Sequence, residues 1–397
     1  MLYAIFHVPS SDVHKVLYII ALRASECKKK GKKNTTHCKK SEKILYNPRF
    51  LWYNSMYYNK EETDMSLQLP KNYASLLSLR ETQVAIKKVK DFFERELAAA
   101  LGLTRVSAPM FVEQDSGLND NLNGTERPVS FDLLSGERLE IVHSLAKWKR
   151  VALGTYGFAS GEGLYTDMNA IRRDEELDNI HSMYVDQWDW EKIIERKDRT
   201  QENLHAIVRA IYACLKRTED FVHGEYPGIK PILPENITFI SSQQLEDDYP
   251  TLTGKEREYA AARQWGAIFI EGIGGNLKSG KPHDGRAPDY DDWTLNGDIL
   301  VYFPTLDIAL ELSSMGIRVD AESMRRQLAV RACEDRASLP YHRALLAGEL
   351  PCTVGGGIGQ SRLCMFFLRK AHIGEVQASY WSPEMIKSCR ENGIELL

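Results

Sequence analysis

A run of glycines followed by an arginine is the first feature of the sequence that could hold a ligand. Four glycines lie within the five positions from Gly355 to Gly359, and Arg362 follows at the start of an apolar, helix-like segment. Glycines let a backbone approach a flat or charged ligand closely. The free N–H groups at a helix start and an arginine side chain both attract an anion. No Gly-Lys-Ser/Thr follows, so this glycine-rich turn is not a Walker loop, but the arginine favours a binding function.

A second segment combines an arginine with a strand that carries polar side chains. The polar loop 171–176 precedes the stretch 181–191, in which Gln187 and Asp189 share one strand face because they are two residues apart. Two strands joined by this loop would bring Arg172 beside both residues. An arginine suits the α-phosphate of a nucleotide, and the acid and amide suit an amino-acid substrate. A solvated hairpin is the alternative, and the alternating tryptophans of the stretch argue against it.

A predicted hairpin carries two carboxylates. Pro304 and Thr305 mark its turn, and Asp298 and Glu311 are equidistant from the centre, so we expect them to face each other on adjacent strands. Facing carboxylates repel each other unless a cation lies between them. Because Mg²⁺ is commonly held by one or two carboxylates and substrate phosphates, the pattern favours a magnesium site. The alternative is that one acid is protonated or that both point to water.

Three shorter stretches add charged groups. The segments 119–124 and 289–293 are rich in acids and amides, and each is also compatible with an ordinary loop. The segment 143–150 supplies cations that could meet a substrate carboxylate.

The elements that must position these residues predict an α+β domain. Apolar residues at three- and four-residue spacing predict helices over 80–101, ended by Gly102, and over roughly 200–222. Strands and helices do not alternate regularly, which favours an antiparallel sheet over a doubly wound parallel sheet. Strand-like segments are predicted at Glu140–Ser144, Ser182–Trp188, Ala267–Gly272, Asp298–Phe303 and Ile308–Ser313.

Composition excludes several protein classes. The 397 residues are 43% hydrophobic and 27% charged, with no apolar run near the length of about 18 residues that spans a bilayer. The net charge of −4 argues against a dedicated nucleic-acid binder. Seven cysteines without a Cys-x-x-Cys pair favour a reducing compartment over a disulfide framework or a zinc ribbon.

The charge divides the chain into two parts. Residues 1–64 hold 12 basic and 6 acidic residues, whereas the remainder has a net charge of −10. A lysine run of this kind could be a nuclear signal or a phosphate-binding arm. We expect residues 1–71 to be a basic, disordered N-terminal extension, with Met65 as an alternative start, and residues 72–397 to be one catalytic domain.

The segments together resemble asparagine synthetase A, the family of ammonia-dependent aspartate–ammonia ligases, over about residues 72–397. That family shares the catalytic fold of class II aminoacyl-tRNA synthetases, closest to the aspartyl and asparaginyl enzymes. The resemblance implies an antiparallel sheet flanked by helices, with the Arg172 hairpin as motif 2 and the Gly355–Arg362 turn as motif 3. It is carried by the strings HSLAKWKR, YVDQWDWE, RAPDYDDW, LNGDILV, ELSSMGIRVD and GGGIGQSRL.

The resemblance implies that aspartate, ATP and ammonia give asparagine, AMP and diphosphate through a β-aspartyl-adenylate, with Mg²⁺ on Asp298 and Glu311. Ser144, Lys149 and Arg318 would orient the α-carboxylate, Asp189 and Ser314 would meet the α-ammonium, and Arg362 would lie against adenine. The implied catalytic residues are Asp120, Arg172, Gln187 and Asp291, and the implied nucleotide-binding residues are Arg172, Gly357, Gly359 and Arg362. Asp120, Asp291 and Gln187 would form the ammonia site and accept its proton.

The resemblance also implies a homodimer. Composition predicts a cytoplasmic protein without a membrane partner, which would meet nucleic acid only through the basic extension. Residues 1–64 have no counterpart in the compact bacterial form. A single Thr294 joins Asp-Asp-Trp to Leu-Asn-Gly, a shorter connection than in that form. We expect this connection to border the active site.

Three alternatives predict different features. An aspartyl- or asparaginyl-tRNA synthetase would carry an anticodon-binding domain, and the acidic body offers tRNA little to bind. A glutamine-dependent asparagine synthetase needs a cysteine after the initiator methionine, where this chain has Leu2. A non-catalytic interaction protein built on the synthetase fold would be expected to have lost the charged site residues, which all stand.

Overall fold

The long apolar repeat near the start of the folded region forms a helix with defined ends. In the computed structural model, which describes residues 67–120 and 126–397, helix α1 spans Leu79–Leu101. Ser78 and Glu81 close a capping box at its start, and Gly102 ends it with a φ of 69°, a backbone conformation that glycine adopts without strain. The predicted helix over 80–101 is therefore confirmed.

The second predicted helix packs against the first. It spans Gln201–Glu225, with the Thr200 hydroxyl accepting a hydrogen bond from the Asn203 N–H. The rings of Phe92 and Phe221 stack with centroids 4.3 Å apart. This helix is also confirmed, and it extends three residues beyond the predicted end.

The remaining elements complete an α+β fold. After α1, the chain forms β1 (Leu103–Arg105), β2 (Phe111–Glu113), β3 (Ser130–Asp132), β4 (Arg138–Ile141), α2 (Ala146–Thr155), β5 (Gly163–Ile171), β6 (Tyr184–Ile193), α3 (Gln201–Glu225), β7 (Thr238–Ser241), α4 (Ser242–Asp248), α5 (Gly254–Trp265), β8 (Ala267–Glu271), β9 (Asp291–Phe303), β10 (Ile308–Arg318), α6 (Ala321–Val330), α7 (Pro340–Leu346), β11 (Thr353–Gly359), α8 (Gln360–Phe367) and α9 (Pro383–Glu391). All described residues belong to one compact unit.

The main sheet is antiparallel except at its edges. Its strands lie in the order β1-β5-β6-β11-β10-β9-β8-β7. Only the outer pairs β1–β5 and β7–β8 are parallel, and β2, β4 and β3 form a separate small sheet. The predicted α+β fold with an antiparallel sheet flanked by helices is confirmed.

The sheet has an apolar face and a polar face. On β6, Trp188 and Trp190 are buried in the core that α1, α3 and α8 cover, and the intervening side chains point to the other face because strand side chains alternate. On β10, Met315 and Ile317 also join this core. The helices therefore leave the polar face of the central strands free to form a site.

Two local predictions are wrong. The glycines from Gly355 to Gly359 were expected to form a turn, but they belong to the central strand β11. Arg362 lies in the first turn of α8, at the start of a helix as expected. Gly355, Gly356 and Gly357 lie where neighbouring atoms leave no room for side chains, since an added Cβ would be 2.6 Å or less from the nearest atom. The predicted strand from Glu140 ends at Ile141, before Ser144.

The predicted hairpin forms, but in another register. The loop between β9 and β10 runs from Pro304 to Asp307, so its centre lies one residue further along than predicted. A β-bulge between Glu311 and Ser313 shifts the pairing again, and Asp298 therefore lies opposite Ser314, not Glu311. Thr294 is inside the continuous strand β9, so the short connection noted in the sequence is part of a strand.

Most of the predicted N-terminal extension, from residue 1 to residue 66, lies outside the described residues, as does most of the polar turn after Asp120. Among the described helices, none combines the length and hydropathy needed to cross a membrane.

Candidate active site

A cavity of about 640 Å³ opens on the polar face of the sheet. Its walls come from Asp120, the start of α2 and the residues before it, the β5–β6 connection, β6, the start of α5, the segment before β9, β10, β11 and the start of α8. It is lined by Asp120, Ser144, Lys149, Arg172, Gln187, Asp189, Asp291, Glu311, Ser314, Arg318, Gly357, Gly359 and Arg362. Of the fourteen predicted site residues, all of which are described, only Asp298 does not line the cavity, and it pairs with Arg286, which does.

The glycines of β11 make room for the polar side chains of β6. A Cβ on Gly357 would lie 2.4 Å from Gln187 Oε1 and 2.9 Å from Asp189 Oδ1. A Cβ on Gly355 would lie 2.0 Å from Glu191 Oε2. Such separations are far inside van der Waals contact, so side chains on β11 would displace the polar groups from the cavity wall.

One end of the cavity carries a buried ion pair. Lys149 Nζ lies 3.1 Å from Asp189 Oδ2 and donates to the carbonyl oxygen of Gly356 at 2.9 Å. The Leu145 N–H also donates to Asp189 Oδ2, at 3.2 Å. Burial lowers the pKa of Lys149, although Asp189 opposes this shift. Asp189 Oδ1 is buried and has no hydrogen-bond partner among the described residues, so it can accept from a ligand cation.

Arg318 is held between two carboxylates at this end. It donates from Nη2 to Glu191 Oε2 at 2.7 Å and from Nη1 to Asp291, and its guanidinium lies 5.8 Å from the ring centroid of Tyr290. Burial would raise the pKa of Glu191, but the charge of Arg318 outweighs this and lowers it. Burial raises the pKa of Asp291 despite Arg318, which makes Asp291 the better proton acceptor of the two.

Asp120 lies beside the same end. The Ser144 hydroxyl donates to Asp120 Oδ2 at 2.9 Å, and His143 Nδ1 lies 3.0 Å from the Asp120 carbonyl oxygen. Asp120 is buried. Its carboxylate therefore faces the cavity from a fixed position at the end of the segment 67–120.

The other end of the cavity concentrates positive charge around Glu311. Burial would raise the pKa of Glu311, but Arg362, Arg286, Lys255 and Arg172 outweigh this and lower it. Four cations around one half-buried carboxylate leave an excess of positive charge, which suits a polyphosphate. Arg172 Nε is buried and has no hydrogen-bond partner in the described parts of the chain.

Asp298 forms an ion pair with Arg286. Burial and the neighbouring Glu311 raise the pKa of Asp298 to about 6, although Arg286 opposes the shift. The second oxygen, Oδ1, is buried and lacks a partner among the described atoms. This free hard oxygen and the Glu311 carboxylate are donors that suit Mg²⁺. Within residues 67–120 and 126–397 no group of three or more His, Cys, Asp or Glu residues could hold a metal, so substrate phosphates and water would supply the other ligands of a Mg²⁺ ion.

The relation of Arg172 to β6 differs from the prediction. The Arg172 N–H donates to the Met183 carbonyl oxygen at 2.8 Å, whereas Gln187 lies opposite Met168 on β5. Arg172 thus lies just beyond the paired strands β5 and β6, near their connection. In the sheet it is not beside Gln187 or Asp189. All three side chains nevertheless line the same cavity.

Sequence reasoning missed three residues that line this cavity, Lys255, Arg286 and Tyr290. It also missed Glu191, which holds Arg318 in place. Glu191 continues the two-residue alternation of Gln187 and Asp189 on β6, and this signal could have identified it. Lys255 comes from the first turn of α5, where the sequence shows a capping box but no ligand-binding motif. Only the fold brings it to the cavity.

Comparisons with known proteins agree with this geometry. The sequence pattern of the aspartate–ammonia ligase family matches residues 80–393. The chain is 66% identical over 333 residues to the aspartate–ammonia ligase of Clostridium perfringens strain SM101, covering 83% of this chain and 99% of that protein. It is 64% identical over 325 residues to the enzyme of the same name from Fusobacterium nucleatum, covering 82% and 99%.

Solved structures share the fold at low sequence identity. The asparaginyl-tRNA synthetase of Pyrococcus horikoshii complexed with asparaginyl-adenylate matches with a TM-score of 0.56 and 14% identity, over 75% of this chain and 68% of that chain. The Entamoeba histolytica enzyme with asparaginyl-adenylate matches with a TM-score of 0.53 and 14% identity, over 75% and 66%. The class II synthetase fold predicted from sequence is therefore confirmed.

Proposed function

The chain belongs to the aspartate–ammonia ligase family, and we propose that it joins aspartate and ammonia into asparagine through a β-aspartyl-adenylate, with ATP converted to AMP and diphosphate. One observation carries the proposal. Thirteen predicted site residues from well-separated segments line one cavity, in a chain 66% identical to an aspartate–ammonia ligase.

We assign aspartate to the end of the cavity that holds the Lys149–Asp189 pair. Asp189 Oδ1 has no partner in the described chain, so it can accept a hydrogen bond from the α-ammonium, together with Ser314. Lys149, Ser144 and Arg318 would meet the α-carboxylate. The buried ion pairs fix these groups before the substrate binds, which lowers the cost of ordering them.

We assign the triphosphate to the cationic end. The aspartate β-carboxylate oxygen attacks the α-phosphorus, the bond to the diphosphate breaks, and the diphosphate leaves. Arg172, Arg286 and Lys255 would balance the charge on the phosphate oxygens. Asp298 and Glu311 would hold Mg²⁺, which when bound neutralises phosphate charge.

The second step needs ammonia as a neutral nucleophile. Ammonium must lose a proton before its nitrogen attacks the acyl carbon of the adenylate and AMP leaves. Asp120, Gln187 and Asp291 would form an anionic pocket for the cation. Burial raises the pKa of Asp291, which brings this carboxylate closer to the pH at which a general base is effective.

We also propose a cytoplasmic homodimer. Exposed apolar side chains on the small sheet support the dimer, since Phe111 and Phe131 lie with ring centroids 5.4 Å apart and Leu134 is fully exposed. The free thiols of the described cysteines support a reducing compartment. Light scattering would measure the molar mass in solution. A dimer should give about twice the chain mass of 45.2 kDa.

The first experiment measures AMP and asparagine from aspartate and ATP, with and without Mg²⁺. Parallel reactions contain ammonium chloride, glutamine or tRNA. Equal amounts of AMP and asparagine with ammonium, without tRNA, are expected. Transfer of aspartate to tRNA without free asparagine would make the chain a synthetase-like enzyme. No turnover in any reaction would favour a non-catalytic interaction protein.

A further inference from the structure

The wall of the cavity includes a glutamine to which the proposed reaction assigns no role. Gln377 follows α8 and is buried, with 5% of its surface exposed. It lines the cavity together with Ile180, Ile373, Ser361 and Arg362. This part of the wall combines two apolar side chains with the flat guanidinium of Arg362, which is the usual chemistry of a pocket for a planar ring.

Arg362 is fixed across this pocket. Its Nε donates to the carbonyl oxygen of Ile180, and its Nη1 donates to that of Glu311, both at 3.3 Å. Glu311 borders the cationic end assigned to the phosphates. A nucleotide whose phosphates lie there would therefore direct its base toward Arg362 and Gln377.

The orientation of the Gln377 amide is determined by its partners. Its Nε2 donates to Asp186 Oδ1 at 3.1 Å and to Ser361 Oγ at 3.0 Å. Asp186 also forms an ion pair with Lys90 at 2.8 Å, so its carboxylate acts as an acceptor and cannot face the amide oxygen. The NH₂ group must therefore point to Asp186, and the amide cannot flip to present a donor to a ligand.

The amide oxygen is left without a partner. Gln377 Oε1 is buried and accepts no hydrogen bond from any described residue. A buried acceptor without a donor is costly unless a ligand supplies the donor. We propose that Gln377 Oε1 accepts a hydrogen bond from the exocyclic amino group of the nucleotide base and so makes the site select a 6-aminopurine over a 6-oxopurine.

This inference rests on the proposed ATP-dependent function and deepens it. Adenine carries an N–H donor at position 6, whereas hypoxanthine and guanine carry a carbonyl oxygen there. That oxygen would face Gln377 Oε1 as a second acceptor. A site built around a fixed acceptor rejects such a base because both oxygens remain unpaired.

The test compares nucleotides and variants in the AMP-forming reaction with aspartate and ammonium. We expect the kcat/KM of the wild-type protein to fall at least about tenfold when purine riboside 5′-triphosphate, which lacks the 6-amino group, replaces ATP. Inosine 5′-triphosphate should be poorer still. 2-Aminopurine riboside 5′-triphosphate, in which the amino group is moved, is the matched nucleotide control and should resemble purine riboside 5′-triphosphate.

Gln377→Met removes the acceptor while keeping a similar length. Its kcat/KM ratio for ATP against purine riboside 5′-triphosphate should approach one, whereas Gln264→Met, at an exposed glutamine on α5, should keep the wild-type ratio. An unchanged ratio in Gln377→Met, or equal use of both nucleotides by the wild-type protein, would overturn the inference. A wild-type protein that makes no AMP from ATP would instead overturn the proposed function.

A structure with AMP bound covers the case in which Gln377→Met does not fold. The inference expects the base nitrogen N6 within about 3.2 Å of Gln377 Oε1. An N6 atom beyond hydrogen-bond reach would refute it.

Discussion

Arg172 is the side chain to which we assign charge balance on the α-phosphate in the first chemical step. It lines the cavity, its Nε has no hydrogen-bond partner in the described residues, and it lies within the field of Glu311. We expect Arg172→Ala to lower the rate of aspartate-dependent exchange between diphosphate and ATP by at least about 100-fold, because charge on the α-phosphate loses its partner. The melting temperature should change by less than about 3 °C, since the side chain is only half-buried.

Arg95→Ala, at an exposed arginine of α1, is the matched control and should leave the exchange rate unchanged. Normal exchange by a folded Arg172→Ala protein would contradict the motif 2 assignment. If only asparagine release were slowed while exchange stayed normal, Arg172 would belong to the ammonia step instead.

At the same scale, the residues that line the cavity could be predicted, but the pairing among them could not. Asp189 and Arg318 carry the charges that the ammonium and carboxylate groups of an amino-acid substrate need. Their positions could be read from the sequence segments that resemble the family. Their partners depend on which strands become neighbours. The pairing of Arg318 with Glu191 joins residues 127 positions apart, and no local pattern in the sequence encodes such a contact.

At the scale of single elements, the glycine-rich strand β11 determines how much room the polar wall has. We expect Gly357→Ala to raise the KM for aspartate at least about tenfold, because the added Cβ would lie 2.4 Å from Gln187 Oε1 and 2.9 Å from Asp189 Oδ1. Steady-state kinetics at saturating ATP would measure the change. Gly228→Ala is the control, since a Cβ there meets nothing within 4 Å. An unchanged KM would show that the polar side chains of β6 can move aside without loss.

The hairpin β9–β10 shows what an element's sequence does and does not determine. Pro304 and Thr305 indicate a turn, and the turn forms. The register depends on loop length and on the bulge after Glu311, and both respond to packing of the whole sheet. Asp298 and Glu311 still influence each other, as the raised pKa of Asp298 indicates, although they are not directly opposite. The sequence therefore predicted correctly that these two carboxylates lie close together, although the predicted pairing register of the two strands was wrong.

At the scale of the whole molecule, a buried cluster outside the cavity joins distant parts of the chain. Asp289 lies 3.4 Å from Lys147 Nζ on α2, 3.0 Å from His342 Nε2 on α7 and 3.5 Å from Arg336 Nη1. It immediately precedes Tyr290 and Asp291 of the cavity wall. The cluster links α2 and α7 to the segment before β9. It therefore helps to hold the adjoining part of the cavity wall in place.

The cluster predicts a pH-dependent stability. Burial would raise the pKa of Asp289, but Lys147, His342 and Arg336 outweigh this and hold it well below the usual range. The unfolded chain therefore binds a proton before the folded protein does, and the stabilisation is present above about pH 4 and lost as the pH falls below it. We expect Asp289→Asn to lower the free energy of unfolding by roughly 3 kcal/mol at pH 7.

Urea denaturation at pH 7, 5, 4 and 3, at one protein concentration, would measure this effect. The difference between the wild-type protein and Asp289→Asn should shrink as the pH falls, because the wild-type protein alone loses this contribution. Asp220→Asn, at an exposed aspartate of α3, should follow the wild-type protein at every pH. A constant difference between wild type and Asp289→Asn across the series would mean that the side chain acts through packing, and that its charge does not hold α2 and α7 together.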